Sequence, residues 1–181
     1  MAGRLKLGAQ ALAVAGVGLL GTPLVWNLTH RTPPPKVGAP APAFSLQRLS
    51  GNGDLSLRSF RGKTVVLNFF ASWCNPCKRE APVLEHLWQQ DRERGLVVLG
   101  VDANDSRGDA RRFVHAHDLS YPVVFDHDGR IAANRYAIAD LPVTYVLNPQ
   151  GRIVGGQILG PVSEHAHSEA LTQYVHAALQ S

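Results

Sequence analysis

The chain has 181 residues, of which 45% are hydrophobic and 18% are charged. This length and composition are typical of one globular domain with some length left for appendages, and they exclude a largely disordered protein. The formal net charge is +4, but the basic residues are scattered and form no stripe interleaved with aromatic residues, which argues against nucleic-acid binding. Two cysteines are too few for a disulfide-rich scaffold.

The N-terminus contains an uncharged segment, residues 7–29, preceded by Arg4 and Lys6. A helix of about 20 residues crosses a hydrocarbon layer of roughly 30 Å, so this segment is long enough to span a membrane. The positive flank predicts that residues 1–6 form a cytoplasmic stub and that the rest of the chain is exported. A cleaved secretory signal is the alternative, but the segment's length and Trp26 near its end favour an uncleaved anchor. We therefore expect a single-pass protein of the cytoplasmic membrane, with its domain on the extracytoplasmic (periplasmic) side.

A proline-rich segment, residues 30–42, follows the anchor and contains three consecutive prolines. Such sequences favour an extended polyproline II conformation, so a semi-rigid linker is predicted between the membrane and the domain at residues 43–181.

Strand and helix patterns alternate along this domain. Apolar runs rich in β-branched residues predict strands at 64–71, 96–103 and 121–126. Amphipathic patterns predict helices at 76–95, 106–119, 129–138 and 163–179, the last with Ser163 as its N-cap. A turn at 148–151 predicts a hairpin over 143–159. This order predicts an α/β layered sheet that is parallel in part and antiparallel at one side.

Both cysteines lie in the stretch Trp-Cys-Asn-Pro-Cys, directly after the first predicted strand and at the start of a helix. Residues i and i+3 lie on the same side of a first helical turn, so the two sulfurs can form a disulfide. The unpaired amides of a helix N-terminus favour a thiolate and lower a cysteine pKa below its free value of about 8.5. We expect Cys74 at the strand–helix corner and Cys77 one turn deeper. Pro76 fits between them because a first-turn amide has no helical partner to lose.

Two structural interpretations compete with a redox pair. A zinc site normally has four ligands, but there is no second cysteine pair, and the histidines at 115/117 and 165/167 are two residues apart and should point to solvent from their helices. A purely structural disulfide would close a loop so short that it constrains the unfolded chain little. The pattern therefore favours a working thiol couple, with no metal site.

Three motifs of the chain resemble the membrane-anchored, extracytoplasmic thioredoxin-like family that includes ResA-, TlpA- and CcmG (DsbE)-type thiol–disulfide oxidoreductases. The motifs are G-x-x-A-P-x-F at 38–44, R-G-K-x-V-V-L-N-F at 61–69 and W-C-x-P-C-x-x-E-x-P at 73–82. The resemblance extends over residues 37–181. It implies a thioredoxin fold with an N-terminal β-hairpin extension and a central helix-bearing insertion, preceded by an N-terminal transmembrane helix.

The resemblance also implies roles for three catalytic residues. Cys74 resembles the family's attacking thiol and Cys77 its resolving thiol. Glu80 occupies the family's acidic position, whereas Asn68 stands where cytosolic thioredoxin carries a buried aspartate. A partly buried carboxyl at position 80 should have a raised pKa and could exchange a proton with Cys77. A solvated carboxylate on the helix surface is the alternative for Glu80.

Four further residues are implied to contact the substrate. Trp73 precedes the first cysteine, and Pro76 lies between the two. Pro142 resembles the cis-proline that faces the disulfide in this family. A cis peptide bond at this position would leave the Leu141 backbone free to pair with an extended substrate segment. Val143 departs from the glutamate typical of the CcmG branch, which weakens assignment to dedicated cytochrome c biogenesis.

The sequence thus predicts a thiol–disulfide oxidoreductase that reduces disulfides in exported proteins. The resemblance implies apocytochrome c or a copper-site assembly protein as its target. The resemblance implies a membrane thiol donor of the CcdA or DsbD type and no diffusible cofactor, since the cysteine pair is the redox centre. A Cu(I)-binding metallochaperone is an alternative, because two thiolates are soft ligands. The related SCO-like copper chaperones, however, have three residues between their cysteines and a distant histidine ligand. A disulfide oxidase or isomerase is the alternative within redox chemistry.

Overall fold

The computed structural model describes residues 33–181. The predicted cytoplasmic stub, the membrane anchor and the first residues of the predicted linker lie outside the described residues. Within residues 33–181, no helix is both long enough and apolar enough to cross a membrane.

Seven strands and four α-helices are described along this part of the chain. The strands are β1 (Ser45–Gln47), β2 (Asp54–Ser56), β3 (Thr64–Phe70), β4 (Leu96–Ala103), β5 (Val123–Asp126), β6 (Val143–Leu147) and β7 (Ile153–Leu159). The helices are α1 (Asn75–Asp91), α2 (Arg107–Ala116), α3 (Arg130–Tyr136) and α4 (His165–Leu179). Each strand and helix predicted from the pattern is present, with ends that match the prediction or differ from it by a few residues.

The principal sheet has the strand order β5-β4-β3-β6-β7. Strands β3, β4 and β5 are parallel, whereas β6 runs antiparallel to both β3 and β7. The predicted sheet, parallel in part and antiparallel at one side, is confirmed. All residues of β3 and β4 are buried, as expected for strands rich in β-branched and aromatic residues that are covered on both faces.

Helices cover both faces of this sheet and bury two clusters of apolar side chains. Helices α1, α2 and α4 pack on one face, where they bury Ala81, Leu84, Phe113, Leu171 and Val175. Helix α3 and the N-terminal segment pack on the other, where they bury Phe44, Leu55, Leu57, Ala132 and Tyr136. This arrangement is a thioredoxin fold, in which α2 and β5 form the predicted central insertion between β4 and α3.

The N-terminal extension contains the predicted hairpin, in which β1 pairs antiparallel with β2. The residues before it are bonded to the turn between β6 and β7 and to the first residue of β7. Gly38 N–H donates to Ile153 O at 2.8 Å, and Ala41 N–H donates to Gly151 O at 3.0 Å. The end of the segment predicted as a linker is therefore bonded to the domain.

Two of the differences between predicted and observed helix ends have a clear local cause. Helix α1 ends at Asp91 instead of continuing to residue 95, because the chain tightens into a 3-10 turn and then reverses at Gly95, whose φ of 88° favours glycine. Helix α4 begins at His165 with Glu164, not Ser163, at its N-cap position. Glu164 N–H donates to Pro161 O at 3.1 Å, so Ser163 belongs to the turn before the helix.

The prediction that all four paired histidines point to solvent was wrong for two of them. His117 is half-buried, with its ring centroid 4.5 Å from that of Phe113. His167 is also half-buried, and its Nδ1 lies 3.1 Å from Pro161 O. His117 packs against a residue of its own helix, and His167 contacts the turn before its helix. Spacing alone does not reveal these contacts.

Candidate functional site

The cysteine pair lies where the central strand β3 passes into α1. Cys74 is the N-cap of α1 and has an extended backbone, and its sulfur accepts a hydrogen bond from Cys77 N–H at 3.2 Å. Pro76 occupies the first turn, where the missing N–H costs no helical hydrogen bond. The unpaired amides and the dipole of this helix end favour negative charge on the Cys74 sulfur.

The two sulfurs are bonded to each other. The Cys74–Cys77 disulfide has an S–S distance of 1.98 Å and a Cα–Cα distance of 5.3 Å. Cys74 is 4% exposed and Cys77 is 1% exposed, so the first cysteine is the more accessible, as the sequence predicted. Within residues 33–181, no three His, Cys, Asp or Glu side chains are grouped so that they could hold a metal ion.

Trp73 lies beside the disulfide and is 57% exposed, which is unusual for so large an apolar side chain. Its indole N–H donates to Asn104 O at 3.0 Å, which fixes the ring over the loop after β4. Trp73, Ile138 and Leu141 line the same open cavity of about 350 Å³. An exposed aromatic ring beside an open cavity of mixed apolar and polar lining provides a contact surface next to Cys74.

The predicted cis peptide bond is present between Leu141 and Pro142, immediately before β6. Val143 of β6 pairs with Phe69 of β3, so Pro142 lies at the same end of the sheet as the cysteine pair. A second open cavity of about 400 Å³ is lined by Leu141, Pro142 and Leu159. Along residues 33–181, the backbone N–H and C=O of Leu141 form no hydrogen bond to another backbone group. They are therefore free to bond to an added strand.

Glu80 is buried on the inner face of α1, with an exposed fraction of 1%, and is not a helix-surface carboxylate. One oxygen accepts from Asn68 Nδ2 at 2.8 Å and the other from Val162 N–H at 3.0 Å. Burial raises its pKa to about 7, and the bonds from Val162 N–H and Asn68 limit the rise. The raised pKa predicted from the sequence is confirmed.

The hydrogen-bond network of Glu80 extends to Thr144 of β6, a residue that the sequence analysis did not single out. Asn68 Nδ2 also donates to Thr144 Oγ1 at 3.0 Å, and Thr144 is fully buried. Asn68 thus uses both amide hydrogens to join α1 to β6 across β3. The signal in the sequence was a polar residue in each of two buried strands, since buried polar groups require hydrogen-bond partners.

A second buried acid was also missed. Asp102 lies within the apolar strand β4 and has no exposed surface. The strand that contains it ends beside the segment that carries Trp73 and Cys74. An aspartate inside an otherwise apolar strand was the available signal, because acidic residues are almost never fully buried without a partner.

Together, these features define a thioredoxin-like thiol–disulfide oxidoreductase: a Cys-x-x-Cys disulfide capping a helix, a cis-proline at the same end of the sheet, and a buried acid of raised pKa on the cysteine helix. Comparison with known proteins agrees with this class. The AhpC/TSA family matches residues 37–155. The chain therefore belongs to the AhpC/TSA family, which confirms its identification as thioredoxin-like.

Named relatives support the same class. The chain is 30% identical to the thiol-disulfide oxidoreductase ResA of Bacillus cereus over 137 residues, which cover 76% of this chain and 78% of that protein. It is 38% identical to ResA of Halalkalibacterium halodurans over 119 residues, 66% of each chain. Among solved structures, a thioredoxin-family thiol:disulfide interchange protein of Chlorobium tepidum matches with a TM-score of 0.66 and 28% identity, covering 82% of this chain and 98% of that chain.

Proposed function

We propose that this protein reduces disulfides in exported proteins and that Cys74 is the thiol that attacks them. The observation that carries the proposal is the position of the Cys74–Cys77 pair at the start of α1, next to a cavity that Trp73 and Leu141 share. Cys74 is the more exposed of the two cysteines and caps the helix, so it is the better placed to meet a second protein.

The reaction has two exchange steps. The Cys74 thiolate attacks one sulfur of the target disulfide, which forms a mixed disulfide and releases the target's other sulfur as a thiolate. Cys77 then loses its proton and attacks the Cys74 sulfur, which forms the Cys74–Cys77 disulfide and releases the second target thiolate. Two electrons pass from the cysteine pair to the target, and the released thiolates take up protons.

Glu80 is the proposed proton acceptor for Cys77. It lies one helical turn after Cys77 on the buried side of α1, and its pKa of about 7 allows both protonation states near neutral pH. The Asn68 and Val162 donors keep the carboxylate in one orientation when it is charged. Glu80 therefore holds the Cys77 proton during resolution and returns it when the pair is reduced again.

The substrate segment is proposed to lie along the cis-proline loop. The unpaired Leu141 backbone supplies a donor and an acceptor for an extended chain, in the manner of an added strand. Trp73 and Pro76 contact the side chains next to the target disulfide, and Pro142 lies on the opposite side of the segment. The two cavities beside Leu141 accept apolar side chains of the target.

The remaining parts of the proposal concern location and partners. The apolar segment 7–29 anchors the chain in the cytoplasmic membrane, so the domain works on the periplasmic side. A membrane thiol donor of the CcdA or DsbD type reduces the Cys74–Cys77 disulfide after each turnover, and no diffusible cofactor is needed. Apocytochrome c or a copper-site assembly protein is the proposed target. The similarity to proteins named thiol-disulfide oxidoreductase ResA supports the proposed type of reaction.

Trapping the mixed disulfide tests the order of attack. The full-length Cys77→Ser chain, reduced and mixed with a disulfide-containing protein, should accumulate an adduct through Cys74 that is visible on a non-reducing gel. The matched Cys74→Ser chain should form no adduct, because its remaining sulfur is the less exposed of the two and lies inside the first turn of α1. Adduct formation by Cys74→Ser alone, or by neither variant, would contradict the assigned roles.

A further inference from the structure

Two hydrogen bonds attach the loop after β4 to the segment that precedes Cys74. Ser72 N–H donates to Asp105 Oδ2 at 2.7 Å, and the Trp73 indole N–H donates to Asn104 O at 3.0 Å. The loop after β4 therefore fixes the two residues that come immediately before the attacking sulfur.

Asp102 lies directly beneath this loop, near the end of β4. It is fully buried between Phe70 of β3 and Phe125 of β5, which are its partners in the sheet register. Within residues 33–181, no hydrogen-bond donor reaches either of its carboxyl oxygens. An ionised carboxylate buried without donors is strongly disfavoured, so such a group holds its proton.

The charged groups on the neighbouring elements do not neutralise an Asp102 anion. Asp105, in the loop that follows β4, and Asp126, on β5, are both acidic and repel it. Arg107, at the start of α2, is engaged elsewhere: its guanidinium lies 4.5 Å from the centroid of the Phe125 ring and donates to Gln47 Oε1 at 2.7 Å.

The two neighbouring acids have donors that Asp102 lacks. The Asp126 oxygens accept two backbone N–H groups at the start of α3, at 3.2 and 2.9 Å. The Asp105 oxygens accept from Ser72 N–H and Ser106 N–H, each at 2.7 Å. Of these three acids of residues 33–181, only Asp102 has a carboxyl group that no donor reaches. Burial first, and then repulsion and hydrogen bonding by Asp105, raise the Asp102 pKa to about 8.

We propose that Asp102 is a positioning residue for disulfide exchange: its carboxyl proton is donated to the Asp105 carboxylate, and this pair holds the segment that carries Trp73 and Cys74. When Asp102 loses the proton, two carboxylates lie side by side without a shared hydrogen. Their repulsion weakens the Ser72–Asp105 hydrogen bond and loosens the segment. The inference rests on the proposed role of Cys74 as the attacking thiol.

The first test follows the Trp73 indole N–H resonance in the full-length chain grown with isotope-labelled tryptophan, assigned by comparison with Trp73→Phe. This resonance should titrate with pH with a midpoint near the Asp102 pKa of about 8. Asp102→Asn should abolish that titration, because the asparagine amide donates to Asp105 at every pH and does not ionise. Asp118→Asn, at the opposite end of α2, is the matched control and should retain it.

The second test measures disulfide exchange with Glu80 already replaced by Gln, so that the Glu80 titration is absent. At about pH 9, about one-tenth of the Asp102 carboxyl groups would keep their proton. The exchange rate of the Asp102→Asn/Glu80→Gln chain should therefore exceed that of the Glu80→Gln chain by up to about tenfold. Equal rates at that pH, or a Trp73 titration that survives Asp102→Asn, would overturn the proposal. If the chain exchanges no disulfides, the proposed function fails, but the Trp73 titration still tests the role of Asp102. The two proposals can therefore fail separately.

Discussion

Glu80→Gln removes the ionisable group from the network that joins α1, β3 and β6. The Glu80 pKa rises from 4.5 to about 7 on folding, mainly because the carboxyl is buried. At about 1.36 kcal/mol per tenfold change in proton affinity, this rise disfavours the charged form by roughly 3 kcal/mol relative to the unfolded chain.

The sign of the pH dependence follows from this rise. The native carboxyl binds its proton more tightly than the unfolded one, so its contribution to stability is fully present below about pH 4.5 and is lost as the pH rises through about 7. The glutamine variant has no such loss. The free energy of unfolding of Glu80→Gln, relative to the natural chain, should therefore increase by roughly 3 kcal/mol between about pH 4.5 and pH 8.

Urea unfolding of both disulfide-intact chains across this pH range measures the difference. Glu85→Gln is the matched control on the same helix: partial burial acts to raise the Glu85 pKa, but hydrogen bonds from Gln89 and Ser120 outweigh it and lower the pKa. The difference in unfolding free energy between Glu85→Gln and the natural chain should change little above about pH 5, because Glu85 is already ionised there. A Glu80→Gln difference that stays constant with pH would refute the argument from burial.

The same substitution tests the proposed proton transfer. Without the carboxylate, release of a target from its mixed disulfide with Cys74 should slow at least about tenfold near pH 7. The midpoint of its pH profile should move from near 7 towards the value of about 8.5 for an unassisted thiol. Stopped-flow measurement of target release gives both quantities, and an unchanged profile would leave Glu80 with a structural role only.

Three further substitutions test the packing that supports the site, each by the free energy or temperature of unfolding. Thr144→Val removes an acceptor from a buried amide and should cost about 1–3 kcal/mol, whereas Thr144→Ser should restore most of it. Phe113→Ala should cost about 3–5 kcal/mol because its ring is buried in the larger apolar cluster; a cost below about 1 kcal/mol would contradict that burial. Gly155→Ala should lower the unfolding temperature, because the new Cβ would meet the Tyr174 ring at a φ of +68°, whereas Gly156→Ala, which meets no such contact, should not.

Local patterns were enough to predict most of the fold. Strand β4 was predicted with its observed bounds because an apolar run rich in β-branched residues starts directly after Gly95, a residue whose positive φ ends the preceding segment. The disulfide was predictable because its spacing places both sulfurs on one helical turn. The cis bond at Pro142 could be predicted only from the family resemblance, since a proline before a strand is also an ordinary feature.

The contacts around the buried acids could not be predicted in this way, because they join residues far apart in the chain. Asn68 bonds to Glu80 across 12 residues and to Thr144 across 76. Sequence spacing gives no information on which polar residues of separate strands meet across a sheet. For the same reason, the sequence did not show that Asp102 lies beneath the loop bonded to Ser72.

Equilibration of the full-length chain with defined mixtures of reduced and oxidised glutathione tests the central claim most directly. The fraction of free thiols, counted by alkylation and mass, should follow a two-electron transition of the Cys74–Cys77 pair. If the protein is a reductant, the midpoint potential should lie below the roughly −220 to −260 mV of a glutathione pool. A midpoint near the roughly −120 mV of strong oxidants would contradict the proposed direction, and a pair that stays oxidised or stays reduced throughout would contradict redox exchange itself.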